Sequence, residues 1–243
     1  MFAWRAKIGL IVPSRNVVME PDFNRFVPPG VSVHTSRMFR TLPDVAVATQ
    51  TEMLSHAEEA AQLVAAARVD LIVLGCTSAS FIGGTGSDEE ISRQLTQKTG
   101  VSTITTSTAV VEALHSFSVK KLTIITPYID EVNERERRFF EGYGFLVLAI
   151  GGFGLRSTYD IAAVQPEEIS RYAKSFDRSE GDALFLSCTN LRATEVIGEL
   201  ERALKKPVIS SNQASLWLAL KRLSISEPIE KGGQLLRKRR TNC

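Results

Sequence analysis

The chain has 243 residues, with 29 Lys and Arg against 27 Asp and Glu and a formal net charge of +2. So even a balance singles out no charged partner, nucleic acid included, and 44% hydrophobic with 23% charged residues is ordinary globular composition. No apolar run approaches the ~20 residues that span a bilayer, and residues 8–12 are too short for a signal-peptide core, so no membrane partner and a cytoplasmic location are expected.

In chain order, short apolar runs predict strands at 7–12, 31–38, 71–74 and 101–105. A second set follows at 121–126, 145–150, 183–186 and 207–210. Several lack polar alternation, which fits strands buried on both faces of a parallel sheet. Between them lie helical periods. Met53, Ala57, Ala60, Ala61, Val64 and Ala67 share one face, and so do Val196, Leu200 and Leu204. Residues 131–141 form a charged helix that buries Val132, Phe139 and Phe140 and stops near Gly142 and Gly144. Alternating strands and helices give βαβ units with right-handed crossovers.

The pattern occurs twice. Residues 70–78, DLIVLGCTS, match 182–190, DALFLSCTN, position by position, 112 residues later. Residues 8–14, IGLIVPS, match 122–128, LTIITPY, and 104–107 match 209–212 more weakly. A duplication predicts two similar halves related by an approximate two-fold axis. The domain boundaries follow as 1–105 with 211–243, and 106–210.

Ligands of open α/β sheets bind beyond the carboxyl ends of the strands. Cys76 and Cys188 both sit there, each expected just before a helix, so that two facing edges form one cleft with a thiol on each wall. Packing alone would accept Ala, Val or Ser at these positions, yet both copies keep Cys followed by Thr and a small polar residue. Backbone N–H groups and a helix N-terminus at the turn would lower a thiol pKa. Thr77, Ser78, Thr189 and Asn190 add donors for a carboxylate or an enolate, and could equally cap the following helices. Asn16 follows the first strand, which Pro13 ends, Tyr128 holds the matching place after Pro127 in the second half, and both are candidate substrate contacts. Asn212 is either a contact or a helix cap.

Other features carry less. The three cysteines form no CxxC pair, and the three histidines are scattered, so no metal site is expected. Residues 83–86, GGTG, lack the Lys-Ser/Thr ending of a phosphate loop. They are expected to form a flexible loop near Cys76, as residues 151–154 are at the cleft edge. The basic run 237–240 reads as a solvated end, and Cys243 has no counterpart.

Five spaced stretches resemble the maleate cis–trans isomerases of the aspartate/glutamate racemase superfamily, which also holds arylmalonate decarboxylases and hydantoin racemases. They are Pro13-Ser14-Arg15-Asn16; residues 75–81, GCTSASF; Thr126-Pro127-Tyr128 with Asn133; residues 187–192, SCTNLR; and residues 207–214, PVISSNQA. The resemblance implies two pseudo-symmetric Rossmann-like α/β halves, each with a four-stranded parallel sheet, an active site between them and no cofactor. It implies Cys76 as nucleophile, Cys188 as proton donor, Asn16 and Tyr128 as substrate-binding residues, and Thr77, Ser78 and Thr189 as carboxylate or enolate donors. Arylmalonate decarboxylases have glycine at the first cysteine, so Cys76 argues against that activity. Thr158 stands where maleate isomerases carry the Asn of an Asp-Asn pair.

The expected function is cofactor-independent isomerisation of a small unsaturated dicarboxylate, maleate to fumarate. Two alternatives stay open: a two-thiol racemase of an amino acid or hydantoin, and a non-catalytic dicarboxylate-binding protein. A homodimer is expected from the size and class.

Overall fold

The computed structural model describes residues 3–238. The first half runs β1 (Ala6–Pro13), α1 (Met19–Phe26), β2 (Val31–Met38), α2 (Val47–Leu54), α3 (Ala57–Ala65), β3 (Leu71–Leu74), α4 (Thr77–Phe81), α5 (Ser87–Thr99) and β4 (Thr103–Thr105). Then follow α6 (Thr106–Ser116), β5 (Lys121–Thr126), α7 (Asp130–Gly142), β6 (Leu146–Gly152), α8 (Thr158–Ala163), α9 (Pro166–Phe176) and β7 (Ala183–Leu186). The chain ends with α10 (Ile197–Leu204), β8 (Val208–Ser210), α11 (Ser211–Arg222) and α12 (Gly233–Arg237). Cys243, Arg239 and Arg240 lie outside the described residues. Among the described residues, no helix is long and apolar enough to cross a membrane.

The strands form two four-stranded sheets, ordered β2-β1-β3-β4 and β6-β5-β7-β8. Every pairing is parallel. The second sheet therefore repeats the topology of the first, as the duplicated sequence expects. The duplication extends to single hydrogen bonds. At the strand starts, Asp70 Oδ2 accepts the Lys7 N–H and Asp182 Oδ2 the Lys121 N–H, both at 2.7 Å. At the far ends, Gly75 N–H donates to Ile11 O at 2.7 Å and Ser187 N–H to Ile125 O at 2.8 Å. Each cysteine thus leaves its sheet one residue after the last ladder bond.

The purely apolar strands β3 and β7 are buried at all four positions. Each fully buried aliphatic side chain there contributes ~1.5–3 kcal/mol. Helices α6 and α11, which follow the last strand of each sheet, pack against each other. Ser215 Oγ on α11 donates to Thr106 Oγ1 on α6 at 3.1 Å. Leu10, Val73, Ile124, Leu184 and Trp217 belong to one apolar cluster that spans both halves.

Three local expectations change. The single helical face at 53–67 is two helices, broken at Ser55 and His56, where the Ser55 hydroxyl bonds the Glu52 carbonyl at 2.7 Å. Ala67 is exposed beyond the helix end, and Arg68 turns the chain toward β3 with φ +54. The strand expected at 101–105 starts only at Thr103, because Thr99 Oγ1 holds the Val101 N–H at 3.2 Å in a turn.

Candidate active site

In both sheets the strand order reverses beside the first strand, at β1/β3 and at β5/β7. That is where an open α/β sheet leaves a crevice. Asn16 follows β1, Cys76 follows β3, Tyr128 follows β5 and Cys188 follows β7. Cys76, Cys188, Asn16, Ser78, Tyr128, Thr189 and Asn190 all line one cavity of about 360 Å³ of free space, including its open mouth. Much of that space is the open mouth, so the enclosed part is small and suits at most a molecule of a few heavy atoms. Pro13, Val45 and Ile161 supply apolar wall.

The two turns are not copies. Cys76 has φ −149 and caps α4. Cys188 has φ +100 and is followed by a turn, with α10 beginning only at Ile197. A helix start behind both cysteines is therefore corrected to one behind Cys76 alone. The left-handed backbone of Cys188 costs ~1–3 kcal/mol and persists only where its surroundings hold it. Here its N–H donates to Ser211 Oγ at 3.0 Å, and the same oxygen accepts the Thr77 hydroxyl at 2.9 Å. Ser211 thereby joins the cysteine turns of the two halves.

Each predicted residue has a definite place. The Ser78 hydroxyl lies 3.8 Å from Cys76 Sγ. The Tyr128 hydroxyl lies close enough to Cys188 to favour its thiolate, and the Asn190 N–H points at the Cys188 sulfur at 3.4 Å. Asn16 Oδ1 accepts the N–H groups of Val18 and Met19 at 3.1 and 3.0 Å, while its Nδ2 donates to Thr189 Oγ1 at 3.0 Å. Thr189 Oγ1 in turn donates to Gly75 O at 3.2 Å. The Asn190 side chain accepts the Val17 N–H and donates to Thr158 O, both at 2.9 Å. Thr77 does not line the cavity, since its hydroxyl is turned to Ser211. Asn212 is a cross-link, donating to Asp22 Oδ2 at 2.7 Å and Thr189 O at 3.1 Å.

Neither glycine run lines the cavity. Gly152 has another reason to be glycine: a Cβ there would sit 2.6 Å from the Tyr128 carbonyl. Among the described residues no cluster of His, Cys, Asp and Glu could hold a metal ion.

Burial reverses the expected lowering of the thiol pKa values. It pushes Cys76 up, against the Arg40 charge, the Ala79 N–H and the Ser78 hydroxyl, which pull it back. Burial pushes Cys188 up to about 12, against the Tyr128 hydroxyl and the Asn190 N–H. The charges of Cys76 and Glu136 raise Cys188 further. A cation therefore favours the thiolate at Cys76 alone, and anions disfavour it at Cys188. Burial thus holds both thiols toward the protonated form, with Arg40 opposing it at Cys76 and the charges of Cys76 and Glu136 adding to it at Cys188.

The sequence reading missed four residues. Arg40 is 2% exposed and lines the cavity. Its signal was its position just past a strand, at the carboxyl edge that also carries Asn16. Gln50 lines the cavity from α2. Ser211 was visible only as one of two adjacent serines. Glu136 on α7 is fully buried, and burial pushes its carboxyl up to about 8, with the Ser187 hydroxyl the one group drawing it down.

The arylmalonate decarboxylase family model matches residues 8–236. A maleate isomerase of Nocardia farcinica is 26% identical over 241 residues, covering 95% of each chain. An arylmalonate decarboxylase of Bordetella bronchiseptica is 27% identical over 217 residues, covering 88% of this chain and 89% of its own. Among solved structures, a cysteine-to-serine variant of a Nocardia farcinica maleate cis–trans isomerase, with a covalently bound succinylcysteine intermediate, superposes with TM-score 0.90. It is 25% identical and covers 96% of this chain and 98% of its own.

Proposed function

The chain belongs to the arylmalonate decarboxylase family, and within it we propose an isomerase that interconverts maleate and fumarate by reversible thiol addition. The observation that carries this is the pair of unlike thiols on one small cavity. Decarboxylation needs no second thiol at position 76, and the maleate isomerase relatives cover nearly the whole chain.

In the proposed cycle, Cys76 enters as the thiolate and forms a C–S bond to one alkene carbon. The π pair moves to the neighbouring carbon and its carboxylate, giving an enolate-like dianion. Cys188 hands its proton to that carbon, which leaves a succinyl thioether on Cys76 and a thiolate at 188. The Tyr128 hydroxyl, already close to Cys188, and the Asn190 N–H, already directed at its sulfur, stabilise that thiolate. The former double bond, now single, rotates. Cys188 recovers a proton from the same carbon, the C–S bond breaks, and the trans acid leaves with Cys76 again a thiolate. This is nucleophilic followed by acid–base catalysis. The succinylcysteine of the Nocardia relative is the species such an addition and protonation would leave.

The proposal includes a cytoplasmic homodimer with no cofactor, and halves formed by 1–105 with 211–243 and by 106–210. Incubation with maleate, followed by proton NMR, should show fumarate. The Cys76→Ala variant should show none, and full activity in that variant would refute the nucleophile.

A further inference from the structure

Arg40 has the most unusual environment in the cavity. Its side chain is buried, and among the described residues Nε and Nη2 have no hydrogen-bond partner. Among the described residues, no Asp or Glu lines the cavity with it. A buried charge without a partner is costly and normally neutralised by a neighbour. The root of the side chain is well fixed. The Arg40 N–H donates to Ser14 Oγ at 3.2 Å, and the Arg15 guanidinium donates to the carbonyls of Arg40 and Thr41. Arg15 also bonds the Tyr159 hydroxyl at 3.1 Å. The second arginine of the wall is thus occupied in holding the first, and only Arg40 keeps a free fork.

Two more groups that line the cavity are buried and, among the described residues, unpartnered: Gln50 Oε1 from the first half and Thr158 Oγ1 from the second. A guanidinium edge and a hydroxyl donor match one carboxylate, which Arg binds through two parallel charge-assisted bonds. Gln50 Oε1 adds an acceptor for a hydroxyl or amide donor on the ligand.

We propose that Arg40, with Thr158, is the specificity determinant that admits only doubly charged substrates, holding the carboxylate remote from the carbon that accepts the proton. This deepens the isomerase reading and rests on it for the identity of the reaction. It does not rest on it for binding. A monoacid or monoamide leaves the guanidinium unpaired and loses the gain that pairing a buried charge brings.

The test separates binding from turnover. Unreactive malonate, succinate and glutarate, and the monoamide succinamate, are titrated by calorimetry into the wild type, Arg40→Met and Arg40→Lys. The best dicarboxylate should bind the wild type and weaken roughly 10–100-fold in Arg40→Met, the range of one charged hydrogen-bonding group. Arg40→Lys should fall between, and succinamate should bind the wild type no better than it binds Arg40→Met, both well below the best dicarboxylate. In turnover, Arg40→Met should raise KM for maleate and also lower kcat, since the Arg40 charge eases ionisation of Cys76, whereas Arg40→Lys, which keeps the charge, should change KM more than kcat.

Undiminished dicarboxylate binding by Arg40→Met, or no dicarboxylate binding by the wild type at millimolar concentration, overturns the proposal. Should Arg40→Met fail to fold by circular dichroism, Arg40→Lys decides: affinity equal to wild type overturns it, and a loss concentrated on the dicarboxylate supports it. Arginine-dependent binding without fumarate formation would sink the isomerase reading alone. Fumarate formation with arginine-independent binding would sink this inference alone.

Discussion

Thr77 donates its hydroxyl to Ser211 Oγ at 2.9 Å, and that oxygen also receives the N–H of Cys188 at 3.0 Å. One serine thus holds the residue after the first cysteine and the backbone of the second. Ser211→Ala leaves both donors buried without an acceptor, which costs ~1–3 kcal/mol each at most. A denaturation midpoint should therefore fall measurably. Turnover should fall further than stability, because Cys188 relies on this bond to keep φ +100. Thr77→Val with Ser211→Ala should be milder than the sum of the single changes, since one orphan is removed.

The unlike thiols predict unlike variants. In the proposed cycle, Cys188→Ser keeps the nucleophile and weakens the proton donor that must also reopen the adduct. Intact-mass measurement during turnover should then find one substrate mass added to the protein. The added mass should vanish in the Cys76→Ala, Cys188→Ser double variant. For the wild type, kcat/KM should climb through the alkaline range, because burial raises the Cys76 pKa and the nucleophile must be a thiolate. A flat profile from pH 7 to 10 would argue against thiol addition.

Glu136 predicts a pH dependence of stability. Its carboxyl titrates at about 8 in the fold and near 4.5 when unfolded. Between those values the native state holds a proton that the unfolded chain has released, so stability falls as pH rises through this window. Above pH 8 the ionised group stays buried and the loss is complete. Glu136→Gln, which remains neutral, should abolish this slope and raise stability at pH 8 by a few kcal/mol. Equal slopes in wild type and variant from pH 5 to 8 would show that another group is responsible.

Much of this was legible from residues that recur. The 70–78 and 182–190 stretches gave the parallel sheets, the strand ends and the two thiols, because a doubly buried strand needs a continuous apolar run. The four-residue bounds of β3 and β7 were read correctly for that reason. What did not recur was not legible. The single 53–67 helix hid a break set by one Ser55 hydroxyl bond. Cys188 was expected before a helix because Cys76 is, yet its turn bends the other way. The thiol pKa values followed burial, which no local spacing reveals. Arg40 was invisible because its meaning lies in lacking a partner, and that requires all of its neighbours in three dimensions.

Asn190 separates two functions within one residue. Its N–H faces the Cys188 sulfur, while its side chain ties Val17 in the first half to Thr158 in the second. Asn190→Ala keeps the N–H and cuts both ties, each worth ~1 kcal/mol net. It should lower stability modestly and raise KM about tenfold, because Thr158, which lines the cavity, loses its anchor. Asn190→Asp keeps an acceptor for Val17 but sets a carboxylate oxygen against the Thr158 carbonyl. It also adds a negative charge to the cavity that must receive an anion, where desolvation makes like charges costly. Dicarboxylate affinity should therefore fall further in Asn190→Asp than in Asn190→Ala at pH 7, and recover in the Asp variant as pH is lowered toward 5. Equal affinities in the two variants across that range would place the bound anion away from Asn190 and from the second half's turn.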